Sequence, residues 1–280
     1  MIAILKKLLQ DRAAVAGLVI VVLAVLIAVF EKQLAPFPDD SFATNIIKRL
    51  KPPSAEHVFG TDAVGRDVLS RVILGTDLAL IAALQVVVGA ILIGVPLGLV
   101  AGYYGGWLGE SIMRVTDLFL AVPHLILAIV FVQLMQPSLQ TAVIALTITY
   151  WPYFTRTVYS ETRALKGSVF VEALEAVGAR GGRIMFMHIL PNTLPPIIVR
   201  ATIGMGFIIL TAAVLGFLGM GEPPPEPEWG KAINESRDHL PDAWWLAVFP
   251  GFAIFLLVLG FNLLGDGLRD IVDPKIRRSR

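Results

Sequence analysis

Cysteine is absent from the 280 residues. That excludes a disulfide framework, a thiolate metal site and a thiol nucleophile. Charge is scarce: 16% of residues are Asp, Glu, Lys or Arg, against roughly 25% in soluble domains. The net charge of +1 lacks the basic excess of a nucleic-acid binder. No Gly-x-x-x-x-Gly-Lys-[Ser/Thr] phosphate loop occurs, and Gly102-Tyr103-Tyr104-Gly105-Gly106 lacks both the lysine and a preceding strand. Any ATP chemistry must therefore sit on another chain. An intramembrane hydrolase needs a nucleophile and a base at facing depths. Only His124 of the four histidines (His57, His124, His188, His239) falls in an apolar run, and no Gly-x-Ser-x-Gly is present.

What the chain has in abundance is apolar sequence: 56% hydrophobic residues and a mean hydropathy of +0.74, which places it in the membrane class. Six spans are expected, at about Ala13–Phe30, Leu78–Tyr103, Ile112–Leu134, Leu139–Tyr159, Leu194–Leu218 and Ala243–Leu264. The first follows a basic start (Lys6, Lys7, Arg12) and no Ala-x-Ala cleavage site follows it, so it reads as a retained anchor. In the polar stretch after it, Thr61 or Asp62 is expected to cap a short helix containing Val64, Val68 and Leu69. Asp62–Arg66 and Asp67–Arg71 are each four apart, as helix pairs are. They read as structural pairs in preference to a catalytic or metal cluster.

Gly89, Gly94, Gly98 and Gly102 recur along the second span, and small residues at this spacing let helices approach closely in a bilayer. Arg114 and Asp117 are expected to pair at the end of the third span, in preference to forming a proton relay with His124. The imidazole of His124 would serve backbone groups freed at Pro123. Arg200 is expected to reach the membrane surface or to pair within the bundle. Trp244-Trp245 reads as an interface anchor.

Six spans put both termini on one side, and the positive-inside rule selects which. The loop before the last span carries Glu222, Glu226, Glu228, Glu235, Asp238 and Asp242 against only Lys231 and Arg237. That loop is placed outside, and both termini and Glu161–Asn192 in the cytoplasm.

The segment Glu172–Asn192, EALEAVGARGGRIMFMHILPN, is a charged, Gly-punctuated stretch on that inner side, set between long apolar runs. Val169–Val177 suits an amphipathic helix, with Val169, Ala173, Ala176 and Val177 on one side and Glu172 and Glu175 displaced from it. Gly178 is placed to end it in a left-handed cap. Gly181-Gly182 permits a reversal, and Arg183–Leu190 forms a second short helix stopped by Pro191. Spacing alone leaves two readings open: an ordinary loop with two surface helices, or a knob that fits a groove on another protein.

Glu172, Ala173, Gly178, Leu190 and Pro191 resemble the EAA loop of bacterial ABC importer permeases. Leu174 stands where a second Ala is usual, and His188 where the general pattern has Ile. Three further segments are similar to the dipeptide/oligopeptide/nickel branch of that family, in its C-type subunit. They are Gly60-Thr61-Asp62-x-x-Gly65-Arg66-Asp67-x-x-Ser70-Arg71, the Pro223–Gly230 loop with Trp244-Trp245…Phe249-Pro250-Gly251, and Asn262–Asp270 with Asp273-Pro274. The resemblance implies an all-α polytopic membrane protein with six transmembrane helices and the type I ABC importer permease fold. Its parts would be an anchor and periplasmic segment (1–77), a core permease domain (78–270) holding the coupling loop (161–192), and a cytoplasmic tail (271–280).

The resemblance further implies a bacterial inner-membrane location and four partner chains: a homologous second permease, two ATP-binding subunits that hold ATP and Mg, and an extracytoplasmic substrate-binding protein. Membrane lipid surrounds the chain, and neither a cofactor nor nucleic acid is expected on it. Glu172, Ala173, Gly178, Leu190 and Pro191 would form the ATPase-coupling site. The cargo implied is di- or oligopeptides, with nickel chelates, glutathione or another small solute as alternatives. An ion-coupled secondary transporter is the rival of another class. It calls for inverted repeats and midplane charges, and no convincing repeat is found.

Overall fold

The computed structural model describes residues 9–39 and 41–272. The expected tail motif at Asp273-Pro274 lies outside them. Among the described residues, nine main helices carry the fold: α1 (Arg12–Val29), α2 (Val68–Tyr104), α3 (Gly106–Ala121), α4 (His124–Gln133), α5 (Leu139–Lys166), α6 (Val169–Ala176), α7 (Leu190–Phe217), α8 (Trp229–Ser236) and α9 (Trp245–Val272). Among the described residues the only strand pairing is a single bridge between Thr61 and Asp67.

Among the described residues, four helical runs are long and apolar enough to cross a membrane: α1, α2, Gly181–Phe217 and α9. The third expected span is broken instead of merely kinked. α3 and α4 meet at 88° across Val122-Pro123, and count as a fifth crossing if taken together. The shortfall from six falls on α5. Thr141, Thr149, Tyr150, Trp151, Thr155 and Thr162 lower its hydropathy, and all of them are buried inside the protein. A helix shielded from lipid by its neighbours does not need an apolar surface.

α5 lies along α2, and the glycine stripe is why it fits. A Cβ built on Gly94 would stand 2.5 Å from the Trp151 carbonyl oxygen, one on Gly98 2.7 Å from that of Thr155, and one on Gly102 2.7 Å from Thr162 Cβ. The Thr155 hydroxyl donates to the Gly94 carbonyl across the gap at 3.1 Å. α1 crosses α9 by the same device, with Gly17 against the backbone at Gly260 and Leu264.

The bundle has two distinct ends. At one, α2 and α5 both begin, and both are tied to the segment after α7. Arg71 is buried and donates to the carbonyls of Ser41, Pro225 and Glu226 at 2.8–3.0 Å. The Leu139 amide donates to the Glu222 carboxylate at 2.7 Å. At the other end, α2 and α5 finish beside α6, and the start of α1 meets the end of α9 where Gly267 abuts Ala14.

The polar segment before α2 differs from expectation. Asp62 caps no helix. It closes a turn by accepting from the Val64 and Arg66 amides at 3.0 and 2.8 Å, and it pairs with the Arg66 guanidinium. The helix cap is Asp67, which accepts from the Ser70 amide and hydroxyl and pairs with buried His57 at 2.8 Å. Asp67 therefore has no room for Arg71, whose nearest carboxylate is Asp62 at 3.8 Å. Trp245 is buried and donates to the Thr61 carbonyl, whereas Trp244 remains exposed. Of this pair, Trp244 is the ring available as an interface anchor.

Glu228 is wedged between Gly216 and Gly221, where any side chain would overlap its carboxyl group. Burial pushes its pKa up to about 7, although the Glu222 amide and Lys231 favour the charged form. A carboxyl raised in the folded state favours folding fully below the unfolded value of 4.5, and this contribution is lost as pH rises through about 7. The thermal midpoint of the purified protein is expected to fall by several degrees between pH 5 and 8. Glu228→Gln should flatten that slope; an unchanged slope would show that Glu228 does not control it.

Candidate functional site

The knob at the second end begins where α5 finishes. Ser168 opens α6, its hydroxyl donating to the Leu165 carbonyl at 2.5 Å. α6 ends as its sequence suggests, with Gly178 at φ +79°. The Gly178 amide donates to Glu175 and the Ala179 amide to Leu174, both at 3.0 Å. This is the double bond pattern of a left-handed helix cap with its usual apolar contact, since Leu174 and Ala179 both pack on the core. Leu174 therefore points inward, which explains how a larger residue is accommodated in place of alanine.

The apolar face expected of α6 is present but points away from the bundle. Val171 is fully buried, whereas Val169 and Val177 are 81% and 80% exposed and Ala173 is exposed too. Phe170, Phe186 and Met187 add to this uncovered surface. Glu172 lies on the same outward side and forms no ion pair or hydrogen bond among the described residues. Exposed apolar patches of this kind are found where a protein meets another protein or a membrane.

The second short helix does not stop at Pro191. Gly181–Arg183 leads into a π-helical turn, Ile184–Ile189, which continues without interruption into α7. The physical reason is that the wider turn re-registers the backbone: the Leu190 amide bonds five residues back, to Met185. Pro191 then occupies the first positions of an α-helix, where its missing N–H is tolerated. Ile184, Met185 and Ile189 are buried and fix this turn to the core. Phe170 of α6 meets the His188 ring at 5.9 Å.

The five expected coupling residues thus divide into two groups. Glu172, Ala173 and Gly178 lie exposed on α6 and its cap. Leu190 packs against the core and Pro191 is exposed at the foot of α7.

Tyr103 is the functional candidate that sequence reasoning missed. Its hydroxyl donates to Glu175 at 3.0 Å, its carbonyl accepts from Lys166 Nζ at 2.5 Å, and that ammonium sits 4.9 Å from its ring centre. A Cβ on Gly181 would come within 2.9 Å of the same ring. One tyrosine at the end of α2 therefore touches the end of α5, the end of α6 and the segment Gly181–Arg183 that leads into the π turn. The available signal was the pair of glycines following it, Gly105 and Gly106, both at positive φ.

Elsewhere, Asp117 pairs with Arg156 of α5 instead of Arg114. His124 meets the Thr149 hydroxyl at 2.9 Å and not the backbone at Pro123. Arg200 stacks over Tyr153 and Tyr150 at 4.7 and 5.9 Å.

A polytopic helical bundle with one rigid, outward-facing knob at one end is the fold of a type I ABC importer permease. It superimposes on a chain of the inward-facing MetNI methionine ABC transporter with a TM-score of 0.60, at 21% identity, over 72% of this chain and 97% of that one.

The chain belongs to the family of binding-protein-dependent transport system inner membrane components, whose pattern matches residues 94–278. Residues 3–53 match the N-terminal transmembrane domain of oligopeptide transport permease C. It is similar to the dipeptide transport system permease protein DppC of Alkalihalophilus pseudofirmus, at 48% identity over 97% of this chain and 89% of the relative. It is also similar to the glutathione transport system permease protein GsiD of Pectobacterium atrosepticum (40%; 97% and 90%). A third relative is the probable D,D-dipeptide transport system permease protein DdpC of Escherichia coli (41%; 93% and 87%). The chain is a multi-pass membrane permease of an ABC importer, a type of transporter that works with ATPase and substrate-binding partners.

Proposed function

We propose that this chain is the C-type permease of a heterodimeric importer core in the bacterial inner membrane, with both termini cytoplasmic, carrying di- or oligopeptides. ATP and magnesium belong to two partner ATPases, one of which docks on the outward side of α6, at Glu172, Ala173 and Gly178. Leu190 and Pro191 pass the motion on to α7. A second, homologous permease completes the pathway, and an extracytoplasmic binding protein delivers cargo at the end where α2 and α5 begin.

The observation that carries this reading is the knob. It is anchored inward by Val171, Ile184 and Ile189 and linked to two long helices through Tyr103, yet it leaves Val169 and Val177 uncovered. A lever needs both a rigid attachment and a free contact face. The peptide cargo is supported by the names of the relatives, two of which refer to dipeptides. The uncovered face also favours an ATP-driven partner over the secondary-transporter reading, which calls for no docking surface of this kind.

The test is affinity purification from the native host followed by reconstitution into proteoliposomes. Two ATPase chains and a second permease are expected to co-purify, and ATP with the loaded binding protein should drive dialanine uptake. Recovery of this chain alone, or uptake independent of ATP, would overturn the assignment.

A further inference from the structure

The lipid-facing surface of a bundle is apolar, and ionisable groups along a span call for another explanation. Three helices of this chain, α3, α5 and α7, each carry such groups. Arg114 and Asp117 are exposed and three apart on α3, hence on one side of it. Asp117 reaches across to Arg156 of α5, and these two side chains are 49% and 57% exposed. One turn along α5 from Arg156, Tyr153 lies under the guanidinium of Arg200 from α7. Together these are three cations and one anion.

Arg200 is the innermost of them. At ~1.5 Å per residue it lies about 9 Å along α7 beyond Leu194, where the apolar run begins. Among the described residues it has no carboxylate partner, and its Nε is buried without an acceptor. The guanidinium carbon lies over two tyrosine rings, 4.7 Å from the centre of Tyr153 and 5.9 Å from that of Tyr150. Cation–π attraction to aromatic rings uses none of the N–H donors of a guanidinium, and its donor fork matches a carboxylate.

We infer that Arg200 recognises the free carboxylate of the transported solute, and that Arg156 and Arg114 continue a cationic path from it towards the knob end of the bundle. The inference rests on the peptide-importer reading and adds to it a feature of the cargo and the residue that reads it. The buried Nε without an acceptor leaves a donor that a cation–π contact does not use. The depth along α7 argues against a lipid phosphate.

The experiment uses the complete reconstituted transporter, with the binding protein saturated so that its own selectivity drops out. The probes are dialanine and dialanine amide, which lacks the terminal carboxylate. Wild type is expected to carry dialanine about tenfold faster than the amide, as one well-formed charged contact allows. Arg200→Gln should bring that ratio close to one, mainly by slowing dialanine, and Arg200→Lys should fall between.

A variant that slows both probes equally, preserving the ratio, would show that Arg200 serves structure or pairs with the second permease, and would overturn the inference. So would a defect that disappears in liposomes lacking anionic lipid. If wild type carries neither probe, the peptide reading fails and the inference falls with it; a preserved ratio with normal dialanine uptake removes the inference alone.

Discussion

Gly178→Asp is expected to reduce ATP-driven uptake at least tenfold while the chain still inserts and folds. Gly178 stands at φ +79°, and nothing in the chain lies within 4 Å of a Cβ added there. The local cost is that of one residue in the left-handed region, on the order of 1 kcal/mol, and Asp is among the residues that tolerate it best. The bundle absorbs this, because the cap is exposed and its core contacts, Leu174 and Ala179, are untouched. The carboxylate nevertheless projects from the face proposed to dock on the ATPase, beside Val177. Burying an unpaired charge in an interface costs several kcal/mol, and about 1.4 kcal/mol already corresponds to tenfold.

Glu172→Lys should act in the same direction. Glu172 has no partner of its own among the described residues, so reversing its charge is felt by the ATPase and not by the fold. The measurements are membrane level, ATPase co-purification and uptake. Normal uptake in both variants would remove the coupling role from α6. Tyr103→Phe separates docking from transmission. It deletes only the bond to Glu175, so the ATPases should stay bound while uptake per ATP falls.

The sequence shows most clearly what depends on local chemistry. The Gly178 cap, the glycine stripe of α2 and the polar segment between α5 and α7 were legible because each follows from backbone permissiveness or from the contrast between apolar and polar runs. What could not be read depends on the neighbours. α5 is polar enough to fail as a span because other helices cover it, and no single helix shows which of its faces is covered.

The outward direction of Val169 and Val177 was hidden for a similar reason. Periodicity reveals an apolar face but not whether it meets this chain or another. Pro191 reads as a stop by its chemistry, yet the π turn before it accommodates the missing donor. Asp67 and Asp62 are equally good caps by residue type, and the pairing of Asp67 with distant His57 is a tertiary matter. Tyr103 was passed over because tyrosines beside glycines at a span end are ordinary interface residues, and its three contacts come from segments far along the chain.

Gly98→Leu is expected to prevent accumulation of folded protein. A Cβ at this position would already lie 2.7 Å from the Thr155 carbonyl oxygen, 2.7 Å from Val158 Cβ and 3.1 Å from the Tyr159 amide. Two of these three atoms belong to the backbone of α5, so no side chain can rotate out of the way. Overpacking a core typically costs about 1–3 kcal/mol and more when the backbone must move. Here α5 would have to lift off α2 along a stripe that also includes Gly94 and Gly102, breaking the bond from Thr155 to the Gly94 carbonyl.

Gly89→Ala provides the internal comparison. The nearest atom to its added Cβ is the Thr147 methyl at 2.8 Å, the end of a side chain, so the loss there should be far smaller. Monodispersity after detergent extraction and the thermal midpoint report both. Gly98→Ala should fall between the two variants, and equal midpoints for Gly89→Ala and Gly98→Ala would show that the stripe does not set the helix spacing. Because α2 and α5 end together at Tyr103 and Lys166, a Gly98→Ala protein that still folds should also lose uptake more steeply than stability. The same contact that packs the bundle fixes the register of the lever at its end.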